Sequence, residues 1–494
     1  MLKIIDPNWN KSVISITILL SILLSIFVLV DPEFSSSILS QTYGMLSVMF
    51  EDFYMYGSFL LLIFLISLAL SKYGTIKLKL KNKPTYTMLS WSSMLFAAGI
   101  GATLLYWSTI EWIEYYNILK NDTKLTSNDL MLYSRSYPIF HWGFTAWAIY
   151  CLPVVAFGLA LTLRPNSNLT FSGILSVQNT VLKFILDVLF IGAIICGAGV
   201  GLGLSFPLIS SVLSKIFVIE RTFSLDIFTI LICSVIFATS AYVGVQNGIK
   251  RLSNLNMILV IIFLIVVFLL GPTSYIFSNS MKTIGFLSSN YIDMSLTTGT
   301  EISLDWSVFY WAWWYALAPM VGTFLVNISN NRTLREVIFG SILIGTLGCM
   351  LSMTILSNLS IHLFESGAIN APNILENKIY SREDLVVNTI MSLNYGRILL
   401  IGFAFIIIIF LCTTYDSASY VLASASMKDS TISGSKSLRL VFAFLLVVQP
   451  TLLMYLNGVD SFKWIMVIFS VPLLFINCLL IYSILKNVHR IKKL

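Results

Sequence analysis

The sequence predicts an all-α integral membrane protein with about twelve transmembrane helices. Of its 494 residues, 57% are hydrophobic and only 11% are charged, whereas soluble domains carry about 25% charged residues. A soluble protein of this composition would expose large apolar patches, so most of the surface must face lipid. Apolar runs of about 20 residues, long enough to cross the hydrocarbon, lie at 13–30, 53–70, 88–107, 139–163, 184–209, 228–245, 252–270, 304–328, 337–356, 397–414, 438–454 and 464–484.

Cysteine placement and net charge exclude several other classes. All six cysteines lie inside apolar runs without CxxC or Cys/His spacing, so they are expected to behave as small hydrophobic residues and not as a disulfide framework or metal cluster. The net charge of +7 comes from basic residues on one side of the membrane. It does not indicate nucleic-acid binding.

The basic loops predict the orientation in the inner membrane. Lysines crowd the loop after the second span, and further basic residues follow the sixth, eighth and tenth spans and the last one. The first loop, residues 31–52, contains acidic residues and no basic one. Because cytoplasmic loops are enriched in Lys and Arg, we expect a multi-pass protein of the cell membrane with both termini cytoplasmic.

Two spans at matching positions carry small or helix-breaking residues. Span three contains residues 97–103 (Ala-Ala-Gly-Ile-Gly-Ala-Thr), and span eight contains residues 316–322 (Ala-Leu-Ala-Pro-Met-Val-Gly). Interrupted segments in corresponding halves indicate a transporter with inverted repeats, although such glycines also simply allow close helix packing. The predicted organisation is two additional helices in residues 1–84, a first five-helix repeat in 85–275, an extracellular connecting segment in 276–303 and a second repeat in 304–494.

Aromatic residues lie at the depth of these interruptions. Counting from the span ends places Trp147, Tyr150, Trp313 and Trp314 near the bilayer midplane, whereas aromatic belts belong at the interfaces. Such rings either fill gaps between helices or form a cage for a quaternary ammonium ion, which donates no hydrogen bond and is recognised by ring faces. Trp142, Trp147 and Tyr150 share one helical face and can converge.

The glycines of span three suit the other end of a zwitterion. An unwound segment at Gly99 and Gly101 exposes backbone N–H groups, and the half-helix that follows directs its positive end toward them. A carboxylate is expected there. A trimethylammonium carboxylate such as glycine betaine fits both halves of this site.

Two motifs resemble the betaine/choline/carnitine transporter (BCCT) family. Span four reads Phe140-His141-Trp142-Gly143 and then Trp147-Ala148-Ile149-Tyr150, and span eight reads Tyr310-Trp311-Ala312-Trp313-Trp314. The resemblance implies a LeuT-like five-plus-five repeat, an aromatic box of Trp142, Trp147, Tyr150 and Trp314, and Trp313 beside the path. Thr103 replaces the last glycine of the family's motif, and Leu317 replaces a tryptophan usual in betaine carriers. Both departures bear on which substrate is bound, and not on the family. Glycine betaine is the first expected substrate, before choline and carnitine.

The same resemblance implies sodium symport with alternating access. The positions that match the family's sodium ligands are Ala97, Ile100, Phe410, Thr413 and Thr414. The alternative for the two threonines is hydrogen bonding to their own helix. Sodium-independent carnitine exchangers of the family carry an arginine where this chain has Met257, so exchange ranks second. No cofactor other than the coupling ion is expected, and the family implies a homotrimer.

Ionisable residues inside the membrane are functional by default. Asp416 is expected to serve a capping or gating network near the ion site. For Glu111 a functional role and a solvated structural role stay open, and His141 is expected to be a hydrogen-bonded packing residue. The three histidines are too scattered for a catalytic set, which argues against an intramembrane enzyme, and an aromatic cage at the midplane argues against a channel.

Overall fold

The protein is described by a computed structural model, which covers residues 7–81, 83–98, 101–243, 246–428 and 435–493. Within these residues the regular structure is helical, apart from two isolated β-bridges, Trp9 with Met427 and Lys77 with Thr333. The all-α class is therefore confirmed.

The first eleven helices precede the segment of the span-eight motif. They are α1 (Lys11–Val30), α2 (Pro32–Leu70), α3 (Met88–Ala98), α4 (Ala102–Leu119), α5 (Ser127–His141), α6 (Phe144–Leu163), α7 (Phe171–Leu175), α8 (Thr180–Phe217), α9 (Phe223–Val243), α10 (Gln246–Leu270) and α11 (Thr273–Leu296).

Eight further helices follow within the described residues, with π-helical turns at Ser303–Ser307 and Gly340–Ile344. They are α12 (Val308–Ile328), α13 (Leu334–Phe339), α14 (Gly345–Glu365), α15 (Ala371–Glu376), α16 (Arg382–Met391), α17 (Gly396–Ala425), α18 (Lys436–Asn457) and α19 (Val459–Lys493).

Length and apolar composition identify membrane-spanning helices directly. Among the described residues, eight helical stretches are long and apolar enough to cross a membrane, or nine if the bent pair Leu255–Leu270 and Thr273–Leu296 is one span. Helix α12 is outside this set, although it is 21 residues long, because tryptophan and tyrosine take the place of aliphatic residues. The integral membrane class is confirmed, whereas the number twelve and the inverted repeat stay predictions.

The predicted interruption of span three coincides with a break between two helices. Helix α3 ends at Ala98 and α4 begins at Ala102, and the N-cap residue Gly101 has extended backbone with φ −143° and ψ 171°. Gly99 and Ile100 lie outside the described residues, and for Ala97 only the backbone is described.

The predicted interruption of span eight is wrong. Helix α12 runs without a break through Pro319, because membrane helices tolerate a proline when neighbouring groups satisfy the freed backbone. Gly322 has a packing role instead: a Cβ at this position would lie 2.7 Å from the ring of Pro153 in α6. The irregular backbone lies before the helix, in the π-helical turn Ser303–Ser307.

Span four is broken where the sequence predicts a continuous helix. Helix α5 ends at His141 and α6 begins at Phe144, so Trp142 lies in the break, whereas Trp147 and Tyr150 lie on α6. A Cβ at Gly143 would lie 2.6 Å from the carbonyl oxygen of Ile139. Glycine at this position therefore permits the tight turn.

Two predicted loops are largely helical. Residues 32–52 form the first half of α2, which continues without interruption to Leu70. At about 1.5 Å per residue this 39-residue helix is roughly 58 Å long, nearly twice the hydrocarbon thickness. Most of segment 276–303 belongs to α11, which turns by 111° from the helix before it.

The buried core surrounds α12, which packs against α6, α8 and α19. Helix α4 packs against α5 and α14 on the other side of the same region. The residues of α6 and α12 that face this core include the predicted aromatic residues, which are buried.

Candidate functional site

The four predicted residues of the aromatic box lie together at the contact between α6 and α12. The ring centroid of Trp314 lies 4.5 Å from that of Tyr150, 5.4 Å from that of Trp142 and 6.5 Å from that of Trp147. The Trp142 ring stands at 83° to the Trp314 ring, and the Trp147 ring stands at 86° to the Tyr150 ring. Several ring faces and edges are thus brought within a few ångströms of one another.

Helix packing fixes the position of Trp147. Its indole Nε1 donates to Sγ of Cys349 at 3.5 Å. A Cβ on Gly345, at the start of α14, would lie only 2.2 Å from the indole. Trp147 therefore fills a gap between helices, which is one of the two roles considered from the sequence; the role in a cage stays a prediction.

Trp313 is anchored beside the aromatic box by α8. Its Nε1 donates to the carbonyl oxygen of Gly197 at 2.9 Å, and its ring lies 5.8 Å from that of Trp142. It stacks on Phe309, one turn earlier in α12, with an interplanar angle of 20°. The structure therefore places Trp313 at the edge of the box, next to α8.

The indole N–H of Trp314 is the exception among these four tryptophans. Trp142, Trp147 and Trp313 each donate to an acceptor on another helix. The Nε1 of Trp314 is buried and has no hydrogen-bond partner within the described part of the chain. Because a buried polar group is normally hydrogen-bonded, this N–H is a candidate contact for a ligand.

A buried carboxylate contacts the aromatic box. Glu111 is fully buried; its Oε2 accepts from Nε1 of Trp142 at 2.9 Å, and its Oε1 accepts from the hydroxyl of Tyr115 at 2.6 Å. The same hydroxyl lies 2.7 Å from Nδ1 of His141, whose Nε2 lies 2.8 Å from Oγ of Ser307. The solvated role considered for Glu111 is therefore wrong, whereas His141 is hydrogen-bonded through both nitrogens.

The start of α4 is a helix N-terminus without a side-chain cap. Gly101 makes no side-chain cap hydrogen bond as the N-cap residue, and a Cβ at this position would have no atom within 4 Å. The first N–H groups of a helix lack partners inside the helix and attract anions. Gly99, the other predicted glycine, lies outside the described residues.

A run of glycines in α8 contacts both residues that depart from the family pattern. Oγ1 of Thr103 lies 3.1 Å from the Cβ position of Gly201, and Cγ of Leu317 lies 3.0 Å from that of Gly197. The sequence analysis missed this helix as part of the site. The sequence does contain a signal for this contact, namely two GxxxG spacings, Gly197 with Gly201 and Gly199 with Gly203. Such spacings favour close helix contacts in membranes.

The predicted sodium ligands are only partly described. The hydroxyl of Thr413 donates to the carbonyl oxygens of Ile409 and Phe410 at 3.1 and 3.0 Å, which is the intrahelical alternative considered from the sequence. Thr414 is half-buried beside it, and Phe410 is buried. Ile100 lies outside the described residues, as does the side chain of Ala97. Over the described ranges, no group of three or more His, Cys, Asp or Glu residues could hold a metal ion.

Asp416 joins two helices near these threonines. Its Oδ1 lies 3.7 Å from a guanidinium nitrogen of Arg439 in α18, and both side chains are buried. The guanidinium also lies over the ring of Tyr420, 5.5 Å from its centroid. Asp416 is thus part of an ion pair between α17 and α18, a partner that the sequence analysis did not identify.

Ion pairs also tie the far end of α4 to α16. Arg382 donates to Glu114 at 2.8 Å. The neighbouring Glu383 accepts from the hydroxyl of Tyr106 at 3.2 Å and from Arg221 at 3.3 Å. The Glu114 contact lies beyond Glu111, on the side away from the α3–α4 break, whereas the Tyr106 contact lies in the first half of α4.

Comparisons with known proteins agree with this geometry. The profile described as BCCT, betaine/carnitine/choline family transporter, matches residues 12–493. A carnitine transporter of Acinetobacter baumannii is 30% identical over 441 residues, which are 87% of this chain and 80% of the relative. The glycine betaine transporter OpuD of Bacillus subtilis is 27% identical over 93% of this chain and 91% of its own. A high-affinity choline transport protein of Escherichia coli is 26% identical over 92% and 69%.

The family profile covers nearly the whole chain, including both aromatic motifs and the helices that carry them. The chain therefore belongs to the betaine/carnitine/choline family, whose members are multi-pass membrane transporters and not enzymes.

Proposed function

We propose that this protein takes up a trimethylammonium compound by secondary active transport. Glycine betaine is the first candidate substrate, followed by choline and carnitine, each of which is carried by one of the relatives described above. The proposed mechanism is sodium symport with alternating access.

The aromatic box is the observation that carries the proposal. A quaternary ammonium ion has no N–H to donate, so a protein recognises it through the negative faces of aromatic rings. Each desolvated ring contact contributes about 2 kcal/mol. The rings of Trp142, Trp147 and Tyr150 all contact the ring of Trp314, at centroid distances of 4.5–6.5 Å, so the ammonium group must separate these rings to bind between their faces.

The start of α4 supports a zwitterionic substrate. The uncapped N–H groups after Gly101 suit a carboxylate, and the unpartnered N–H of Trp314 adds a donor beside the rings. Glycine betaine and carnitine carry both a trimethylammonium group and a carboxylate, whereas choline carries only the first. This is why glycine betaine ranks above choline.

The helix break and the oxygen-bearing residues of α17 support the proposed sodium coupling. The break between α3 and α4 has the form expected for a helix that carries an ion and substrate site, and oxygen ligands from Thr413, Thr414 and the backbone of α3 would suit sodium. Alternating access by a LeuT-like inverted repeat, cytoplasmic termini in the inner membrane and a homotrimeric assembly complete the proposal.

Uptake into proteoliposomes tests substrate and coupling together. The purified protein is reconstituted, and labelled glycine betaine, choline and carnitine are supplied with and without an inward sodium gradient. A parallel set of vesicles is preloaded with unlabelled substrate to detect exchange. We expect saturable betaine uptake that depends on the sodium gradient.

Each alternative gives a distinct result. Choline uptake without betaine uptake would overturn the substrate ranking. Exchange that ignores the sodium gradient would overturn symport and favour a carnitine-type or betaine-type antiporter. No saturable uptake of any of the three compounds would overturn the proposed function.

A further inference from the structure

Glu111 places a carboxyl group beside the aromatic box. It lies on α4, ten residues after Gly101, and is fully buried. It bonds directly to Trp142, whose ring contacts both Trp313 and Trp314. The carboxylate is thus one side chain away from the position proposed for the ammonium group.

The donors around Glu111 fit an ionised carboxylate. The indole of Trp142 has only an N–H and can only donate, so Oε2 of Glu111 is the acceptor in that contact. With Glu111 ionised, Tyr115 donates to Oε1, and Nδ1–H of His141 donates to the hydroxyl oxygen of Tyr115. Each donated proton in this series of hydrogen bonds then has an acceptor. The hydrogen bonds to the carboxylate oxygens are charge-assisted and therefore stronger than neutral ones.

Packing alone does not require a charge at this position. A neutral amide oxygen would accept the indole N–H equally well. A buried carboxylate in a membrane protein carries a large desolvation cost. Within the described residues, the basic group in ion-pair range is the imidazole of His141, whose Nδ1 lies 3.6 Å from Oε1 of Glu111. A negative charge on Glu111 would therefore need a reason beyond the orientation of Trp142.

We propose that Glu111 determines the charge preference of the substrate site. Its negative charge holds the indole of Trp142 in place and attracts a cationic group bound against the rings. At roughly 10 Å and an effective dielectric constant of about 20, the attraction of one unit charge corresponds to roughly tenfold in affinity. A zwitterion gains less because its carboxylate is repelled, and an uncharged isostere gains nothing. This inference rests on the proposed function.

Calorimetric titration of the purified full chain tests it. The three ligands are choline, glycine betaine and 3,3-dimethylbutan-1-ol, the uncharged isostere of choline. In Glu111→Gln we expect choline to lose roughly tenfold in affinity, betaine to lose less and the isostere to change little. In Glu111→Asp the charge remains but the shorter side chain loses its contact with Trp142. That variant should bind all three ligands more weakly and keep its preference for the cation.

Glu51→Gln is the matched control. Glu51 is also buried, but it accepts from Gly299 N at 2.8 Å and from Oγ of Ser303 at 2.5 Å, away from the four rings. The same change there should leave the ratio of choline to isostere affinity unchanged.

Three results would overturn the inference. An equal loss for all three ligands in Glu111→Gln would reduce Glu111 to a packing role. If Glu111→Gln does not fold, as judged by its thermal transition, Glu111→Asp decides: loss of its preference for choline over the isostere contradicts the proposal. If the unaltered protein binds neither choline nor betaine, both this inference and the proposed function fail, whereas normal binding by the unaltered protein with an unchanged ratio of choline to isostere affinity in Glu111→Gln removes only the inference.

Discussion

The aromatic box and the predicted sodium ligands differ in how their side chains are held. Three indoles around the box bond to other helices: Trp142 to α4, Trp147 to α14 and Trp313 to α8. The hydroxyl of Thr413 bonds only within its own helix, to carbonyl oxygens three and four residues earlier. The packing of the helices therefore fixes these indole rings. The hydroxyl of Thr413, in contrast, can change its hydrogen-bond partner by one rotation of the side chain.

This difference predicts where substitutions act. Changes in the box should alter substrate affinity, and some of them should also alter stability, because the rings take part in helix packing. Changes at the threonines should act mainly on the dependence on sodium. The predictions below separate the two regions, in order of decreasing effect.

Replacing Trp314 should have the largest effect. Trp314→Leu removes the ring that contacts all three other members of the box and should weaken substrate binding at least about thirtyfold, since one desolvated ring contact is worth about 2 kcal/mol. Calorimetry measures the affinity. Trp112→Leu is the control, because Trp112 is buried in α4 but contacts Tyr116, Phe364 and Ser360. Equal affinity of Trp314→Leu and the unaltered protein would remove the box as the binding site.

Crowding Trp147 should affect both stability and binding. Gly345→Ala places a Cβ 2.2 Å from the indole, so the ring must move, and overpacking of this kind costs about 1–3 kcal/mol. We expect a lower thermal transition and about tenfold weaker substrate binding. In the control, Gly402→Ala, the new methyl group meets no atom within 4 Å. If Gly345→Ala binds substrate normally, the position of Trp147 does not matter for recognition.

Removing a threonine hydroxyl should act on sodium. Thr414→Val should raise the sodium concentration for half-maximal uptake roughly fivefold, as expected when a charged group loses one oxygen partner, with little change in substrate affinity at saturating sodium. Thr413→Val should have a smaller effect, because its hydroxyl is engaged by its own helix. Sodium-titrated uptake into proteoliposomes is the measurement. An unchanged sodium dependence in both variants would contradict the ion site.

The departure at Thr103 should have the smallest effect. Its hydroxyl packs against Gly201, so Thr103→Gly should leave the preference among betaine, choline and carnitine nearly unchanged. Glycine inside a helix costs about 1 kcal/mol, so the thermal transition should fall slightly. A competition assay with the three ligands decides, and a reversed preference would show that Thr103 contacts the substrate.

The sequence predicted the membrane class and the helical break at Gly101, and the resemblance to the family implied the meeting of four aromatic rings. The membrane class and the break could be predicted because they depend on local composition. The central tryptophans stood out because a lipid-facing position does not require this residue type. Charge-poor apolar runs need a bilayer, glycine permits a break, and tryptophans at the midplane need a partner other than hydrocarbon.

Contacts between distant segments could not be predicted in this way. Pro319 suggested an interruption, but packing against α6 keeps α12 continuous. The break at Gly143 is a local feature instead, since a Cβ there would lie 2.6 Å from the carbonyl oxygen of Ile139, four residues earlier. The burial of Glu111 and its bond to Trp142 depend on how α4 packs against the end of α5, and residue spacing does not encode that packing.

The most direct measurement is an experimental structure of the protein with glycine betaine bound. The account predicts that the trimethylammonium group lies within about 6 Å of the ring centroids of Trp142, Trp147, Tyr150 and Trp314, with the carboxylate toward the start of α4. Betaine bound at a position that touches none of these four rings would contradict it.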